Sequence, residues 1–125
     1  MLLHLTDLSA EPLHQQISRQ IRAQILAGDL AQDAPLPSIR AFAKEHKVSV
    51  ITVQRAYDDL LREGLLVSRR GKGFFVAPLS TDQRADRALE RLQGQIKALV
   101  DAALAEGLSP AQIRLAVDQA LKNAT

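Results

Sequence analysis

The chain has 125 residues, 46% of them apolar, which is enough to pack one small domain with or without an appendage. It holds no cysteine, which excludes disulfides, thiolate metal sites and a cysteine nucleophile; with three Phe, one Tyr and no Trp it also lacks the aromatic platform on which single-stranded bases stack. The formal net charge is only +2, but residues 38–73 hold eight Lys/Arg against four Asp/Glu, so the positive excess is local and suits an anion-binding face.

The opening stretch, MLLHLTDLSAEP, has neither a basic segment nor a long apolar one, so no signal peptide is expected. No run approaches the ~20 apolar residues of a membrane span, and a reducing cytoplasm fits the lack of cysteine. Pro12 can open a helix, with Glu11 near its positive end. Leu13, Ile17, Ile21 and Ile25 then recur every four residues, and Leu26 widens this buried stripe before Gly28 ends the helix. The proline- and aspartate-bearing segment DLAQDAPLPS reads as a connection.

Ser38 is a good cap for a second helix, with Ile39, Phe42 and Ala43 inward and Arg40 and Lys44 outward. This helix should stop near His46-Lys47. Ser49 caps a third helix after a very short turn, and Val53, Ala56, Tyr57, Leu60 and Leu61 form its apolar stripe up to Gly64. Leu65-Leu66-Val67 and Phe74-Phe75-Val76 are short β-prone runs around a glycine-punctuated turn, which predicts a hairpin whose tip carries Arg69, Arg70 and Lys72. After Pro78, APLSTDQ reads as a linker. A long helix follows over Asp82 to about Glu106, with a coiled-coil-like seam of Ala85, Leu89, Leu92, Ile96, Leu99 and Ala103. Ser109-Pro110-Ala111-Gln112 then combines a cap, a first-turn proline and a capping-box glutamine for a last helix. Its apolar side is Ile113, Val117, Ala120 and Leu121.

The expected fold is mainly α with a small β-hairpin: a winged helix-turn-helix over residues 1–78, then a two-helix dimerisation segment over 79–125. In such an arrangement the third helix can enter a DNA major groove by its N-terminal end. Ile51, Thr52, Gln54 and Arg55 lie on its outward side, and Gln54 and Arg55 can pair with bases or phosphate. The acids Asp58, Asp59 and Glu63 come later; Asp59 lies ~15 Å along the axis from Ser49, away from the end that would meet DNA. Arg69, Arg70 and Lys72 would reach phosphates or a narrow minor groove, and Gly71 and Gly73 would let the backbone approach the duplex. Arg40 and Lys44 can grip phosphate, beside the unpaired N–H groups at Ser38. Double-stranded DNA is thus the expected partner.

The run LPSIRAFAKEHKVSVITVQRAYDDLLREGLLVSRRGKGFFV resembles the DNA-binding pattern of the GntR family of bacterial transcription regulators. The matching parts are Leu36-Pro37-Ser38 with Arg40, Val48-Ser49 with Thr52-Val53, Glu63-Gly64-Leu65, Gly71-Lys72-Gly73 and Phe75-Val76. This resemblance implies a homodimer on a pseudo-palindromic operator, with contacts at Ser38, Arg40, Ser49, Thr52 and the Gly71–Gly73 wing tip. Two positions depart from the pattern: Val50 stands where the family often has Arg, and Asp33 where it usually has Gly. Residues 79–125 are too short for the large ligand-binding domains of most branches and look like the short YtrA-type branch, some members of which lie beside transporter operons. The expected function is a regulator, by preference a repressor, with Leu89, Leu92, Ile96, Leu99 and Ala103 facing a second copy. A small-molecule effector would sit between the C-terminal helices and the winged domain, or at the dimer interface.

The competing reading is a winged helix used for protein–protein contact. It would favour apolar residues where Arg55, Arg69, Arg70 and Lys72 stand. An enzyme is not expected: His4, His14 and His46 lack metal-ligand spacing, and adjacent Asp58 and Asp59 do not converge on a helix. No cofactor is implied.

Overall fold

The computed structural model describes residues 1–124. Helices α1 (Leu13–Leu26), α2 (Ile39–His46) and α3 (Val50–Arg62) precede strands β1 (Leu66–Arg69) and β2 (Gly73–Val76), and helices α4 (Thr81–Ala105) and α5 (Pro110–Ala124) complete the chain. The fold is mainly α with one antiparallel hairpin, a winged helix-turn-helix followed by two helices. The chain forms two compact units, Met1–Ala85 and the segment from Asp86 onward.

The apolar stripes expected from the sequence build the core of the first unit. Ile17, Ile21 and Ile25 of α1, Phe42 and Ala43 of α2, and Val53, Ala56, Tyr57 and Leu60 of α3 are all buried. Leu66 and Val76 bring the hairpin into the same cluster. An isolated two-stranded hairpin is marginal in water. Burying each of these two side chains contributes about 1.5–3 kcal/mol relative to exposure, which fixes the wing to the helices. The register pairs Leu66 with Val76, Val67 with Phe75, Ser68 with Phe74 and Arg69 with Gly73.

Two local readings change. The segment read as a mere connection also borders the wing. Asp33 and Leu36 donate N–H bonds to Val76 and Phe74, Val76 donates to Ala34, and Pro35 bridges to Phe75. Pro35 fits because the ladder asks nothing of the N–H it lacks. Asp33 takes a left-handed φ of 62°, tolerable for Asp where most side chains would be strained. The stretch read as a linker, in turn, starts α4. Ser80 Oγ accepts from Gln83 N–H and Gln83 Oε1 from Ser80 N–H, a capping box that sets the helix start at Thr81. Ser109 and Gln112 form the expected box at α5.

Residues 2–6 form a strap along α1. Gln16 and Gln20 each bond both the N–H and C=O of one strap residue, Thr6 and His4, at 2.7–3.0 Å. Gln24 donates to the Leu2 carbonyl at 2.8 Å. Alternate residues of an extended chain lie ~6.6 Å apart and every fourth helical residue ~6.0 Å apart, so the two repeats match over this length. The odd residues, Leu3 and Leu5, pack on the core. Gln16 is itself buried and also donates to the Glu11 carbonyl. Gln16→Leu is therefore expected to destabilise the winged unit by about 2 kcal/mol, because it orphans partly buried backbone groups. Urea melts read by circular dichroism check this; an unchanged midpoint refutes it.

Ion pairs complete the first unit. Arg22 meets Glu63 with two bonds of 2.8 Å, tying α1 to the end of α3. Arg19 holds the Glu11 carboxyl below its ordinary pKa, chiefly by hydrogen bonding. In the second unit no residue of α4 or α5 is buried. Val100, Leu104, Pro110, Ile113 and Arg114 line a shallow depression there.

Candidate nucleic-acid interface

The turn between α2 and α3 consists of Lys47, Val48 and the cap residue Ser49. Lys47 adopts φ 55°, and Val48 N–H reaches back to the Ala43 carbonyl at 3.0 Å, closing α2 without a glycine. The Ser38 and Ser49 side chains cap α2 and α3 by accepting from Ala41 and Thr52 N–H groups, each at 3.1 Å.

A relay of rings fixes the elements on which the predicted contacts stand. Tyr57 of α3 meets Phe42 of α2 edge-on at 6.0 Å and Phe74 of β2 at 5.1 Å. Its hydroxyl donates to the Pro37 carbonyl at 2.8 Å, just before Ser38. Burial, and secondarily the charge of Glu45, raises the pKa of that hydroxyl, so it stays a donor. His46 packs on Phe42 at 4.3 Å and is a structural residue.

Most predicted contact residues are solvent-exposed: Ser38, Arg40 and Lys44 on α2, Ser49 at the α3 cap, Ile51, Gln54 and Arg55 on α3, and Arg69 to Gly73 on the wing. Thr52 is half-buried, and its hydroxyl lies 2.8 Å from that of Ser49. Ile51 is 72% exposed, an apolar side chain held in water at the open end of α3. Gln54 donates to Asp58 Oδ1 at 2.9 Å, so its amide is turned back along its own helix. The acids of α3 are engaged: Asp58 with Gln54, Asp59 with Arg62 and Glu63 with Arg22. An open depression lined by His14, Arg55, Asp58, Asp59 and Arg62 lies beside them.

The wing differs from its expected form. Arg69 is the last residue of β1 and not part of the tip. The turn proper is Arg70-Gly71-Lys72, closed by Lys72 N–H to the Arg69 carbonyl at 2.9 Å. Gly71 (φ 75°) and Gly73 (φ 105°) take conformations that L side chains rarely adopt, and nothing lies within 4 Å of a Cβ built on either, so the tip is open. Sequence reasoning missed Asp33 as a partner of Arg69 and the strap glutamines as a framework. The only sequence signal for the latter is the spacing of Gln16, Gln20 and Gln24, each one residue before an inward isoleucine.

In the second unit Leu89, Leu92, Ile96 and Leu99 are 53%, 49%, 42% and 70% exposed, and Ala103 is half-buried. Among the described residues no group of His, Cys, Asp or Glu could hold a metal ion, and no helix is long and apolar enough to cross a membrane.

The sequence model of bacterial regulatory proteins of the gntR family matches residues 13–76. The uncharacterized HTH-type transcriptional regulator YhcF of Bacillus subtilis (strain 168) is 33% identical over 99 residues, covering 77% of this chain and 82% of that protein. The structure of YtrA from Sulfolobus acidocaldarius, a GntR-family transcription factor, superposes with a TM-score of 0.67 at 27% identity, over 84% of this chain and 99% of that one. The DNA-binding domain of AraR in complex with operator ORX1 gives 0.52 at 32% identity, over 60% and 93%. The chain spans only 14% and 33% of the length of two longer curated relatives.

Proposed function

Because the chain belongs to the GntR family of bacterial regulatory proteins, in its short YtrA-type branch, and is a DNA-binding transcriptional regulator rather than an enzyme, we propose that it acts in the cytoplasm as a homodimeric repressor on a pseudo-palindromic operator. The single observation that carries this reading is the combination of exposed cations on three elements that the Phe42–Tyr57–Phe74 relay locks together. In the proposed complex α3 enters the major groove. Arg55, and Gln54 once released from Asp58, read base edges, while Ile51 contacts a thymine methyl group. Arg40, Lys44, Arg70 and Lys72 hold phosphates, with the Ser38 and Ser49 caps and the Gly71–Gly73 backbone alongside. The AraR domain bound to its operator supports this docking by likeness.

Dimerisation is proposed through Leu89, Leu92, Ile96, Leu99 and Ala103. Their spacing is that of a helix–helix seam, and most of it lies exposed in the single chain. A small ligand that altered this pairing would control operator binding, since a two-fold site needs both copies.

Selection of bound duplexes from random DNA tests the reading. The expected product is an inverted repeat with half-sites centred about 10 bp apart, or a multiple of that. Arg40→Ala should keep the same consensus but lower the salt slope of binding by about one unit. Recovery of no consensus would defeat the sequence-specific reading, and an unchanged slope would remove Arg40 from the phosphate contacts.

A further inference from the structure

Arg69 does not share the wing tip with Arg70 and Lys72. Its Nη2 donates to Asp33 Oδ1 at 2.7 Å, and its guanidinium carbon lies 4.5 Å from the centre of the Phe75 ring. Residues 67 and 69 share a face of β1, and Val67 pairs with Phe75, so this side chain leans back along the strand away from Gly71.

We propose that Asp33 is a positioning residue that keeps Arg69 off the duplex, so the wing meets DNA with two cations instead of three. This rests on the wing being a DNA contact. An isolated exposed ion pair would be a poor competitor for a phosphate, because ordering two mobile side chains offsets most of its attraction. This pair is exposed, Arg69 44% and Asp33 50%, but the backbone of Asp33 is anchored. Its own N–H is bonded to the Val76 carbonyl at 2.9 Å, and Pro35, two residues on, bridges to Phe75. The backbone that carries the carboxylate is thereby held at the edge of β2. The Phe75 ring adds a second, cation–π contact to Arg69. By contrast, Arg70 and Lys72 have no ion pair or side-chain hydrogen bond among the described residues. Asp33 thus cancels one wing charge, setting a ceiling on affinity that does not depend on DNA sequence.

The test is a double-mutant cycle of wild type, Asp33→Asn, Arg69→Ala and the double variant, titrated against one arbitrary duplex by fluorescence anisotropy at several salt concentrations. Asn tolerates the left-handed backbone at position 33, and Asp33→Gly serves as a second version that suits it better. Asp33→Asn is expected to tighten binding at low salt and to steepen the salt slope by about 0.9, the equivalent of one more phosphate neutralised. Arg69→Ala alone should leave the slope unchanged, and adding it to Asp33→Asn should return the slope to the wild-type value. An unchanged slope in both Asp33 variants overturns the inference, as does a slope already shallower in Arg69→Ala. Failure of the DNA reading would look different. No form would bind the duplex, which removes the inference too, although the Arg69 Nε–H signal of the free protein would still shift on Asp33→Asn as the side chain leaves the Phe75 ring.

Discussion

The double variant Arg70→Ala/Lys72→Ala is expected to bind every duplex more weakly, by about 50-fold near 0.1 M salt, and to lose about 1.8 units of salt slope. The magnitude follows from counterion release, in which each phosphate neutralised contributes ~0.9 to the slope. The tip makes this a clean measurement. Both side chains are exposed, and no Cβ contact lies within 4 Å at Gly71 or Gly73, so removing the two cations disturbs no packing. Since phosphate contacts position without specifying, the consensus recovered from random DNA should not change. Anisotropy titrations at three or more salt concentrations supply the slope; a wild-type slope in the variant would mean that the tip does not touch DNA.

Ile96→Asp is expected to give a monomer at micromolar concentration and to cut operator affinity by about 100-fold, the avidity forfeited when two linked half-sites must be bound separately. Ile96 stands in the middle of the Leu89–Leu99 seam, where pairing with a second copy would strip water from an unpaired carboxylate. No residue of α4 or α5 is buried in the single chain, so the substitution leaves the winged unit intact. Sedimentation velocity reads the mass, and circular dichroism verifies the fold. A dimer that persists in the variant would move the interface elsewhere. A monomeric wild type would remove the dimer from the proposed function.

The sequence carried the helices because each keeps a long apolar repeat: Ile17-Ile21-Ile25 in α1 and Val53-Ala56-Tyr57-Leu60 in α3 are buried as their spacing required. Caps at Ser38, Ser49 and Ser109 were equally readable, since a hydroxyl at a helix start has little else to do. Ser80 with Gln83 obeys the same rule, but the polar run around it read as linker. Contacts made by backbone or across long separations were illegible. Arg69 finds Asp33 from 36 residues away, and nothing in either neighbourhood announces the pairing. Pro35 joins β2 with no β-prone run around it. Gln54 with Asp58 was within reach, four residues apart on one helix face, and qualifies the picture of Gln54 as an unencumbered reader. The site itself was legible as a set of residue types in order. Which cations stand free and which are already spoken for emerged only in three dimensions.

The glutamine strap has a consequence for how this protein tolerates change. Gln16 and Gln20 grip amide and carbonyl atoms that every residue other than proline possesses, so the side chain at position 4 carries almost no information and can drift, whereas at position 6 the Thr6 hydroxyl also accepts from the Leu8 N–H. What cannot drift is parity. One residue inserted or lost between Leu3 and Leu5 would swap the inward and outward sides, turning a leucine to water and offering the core a histidine or threonine in its place.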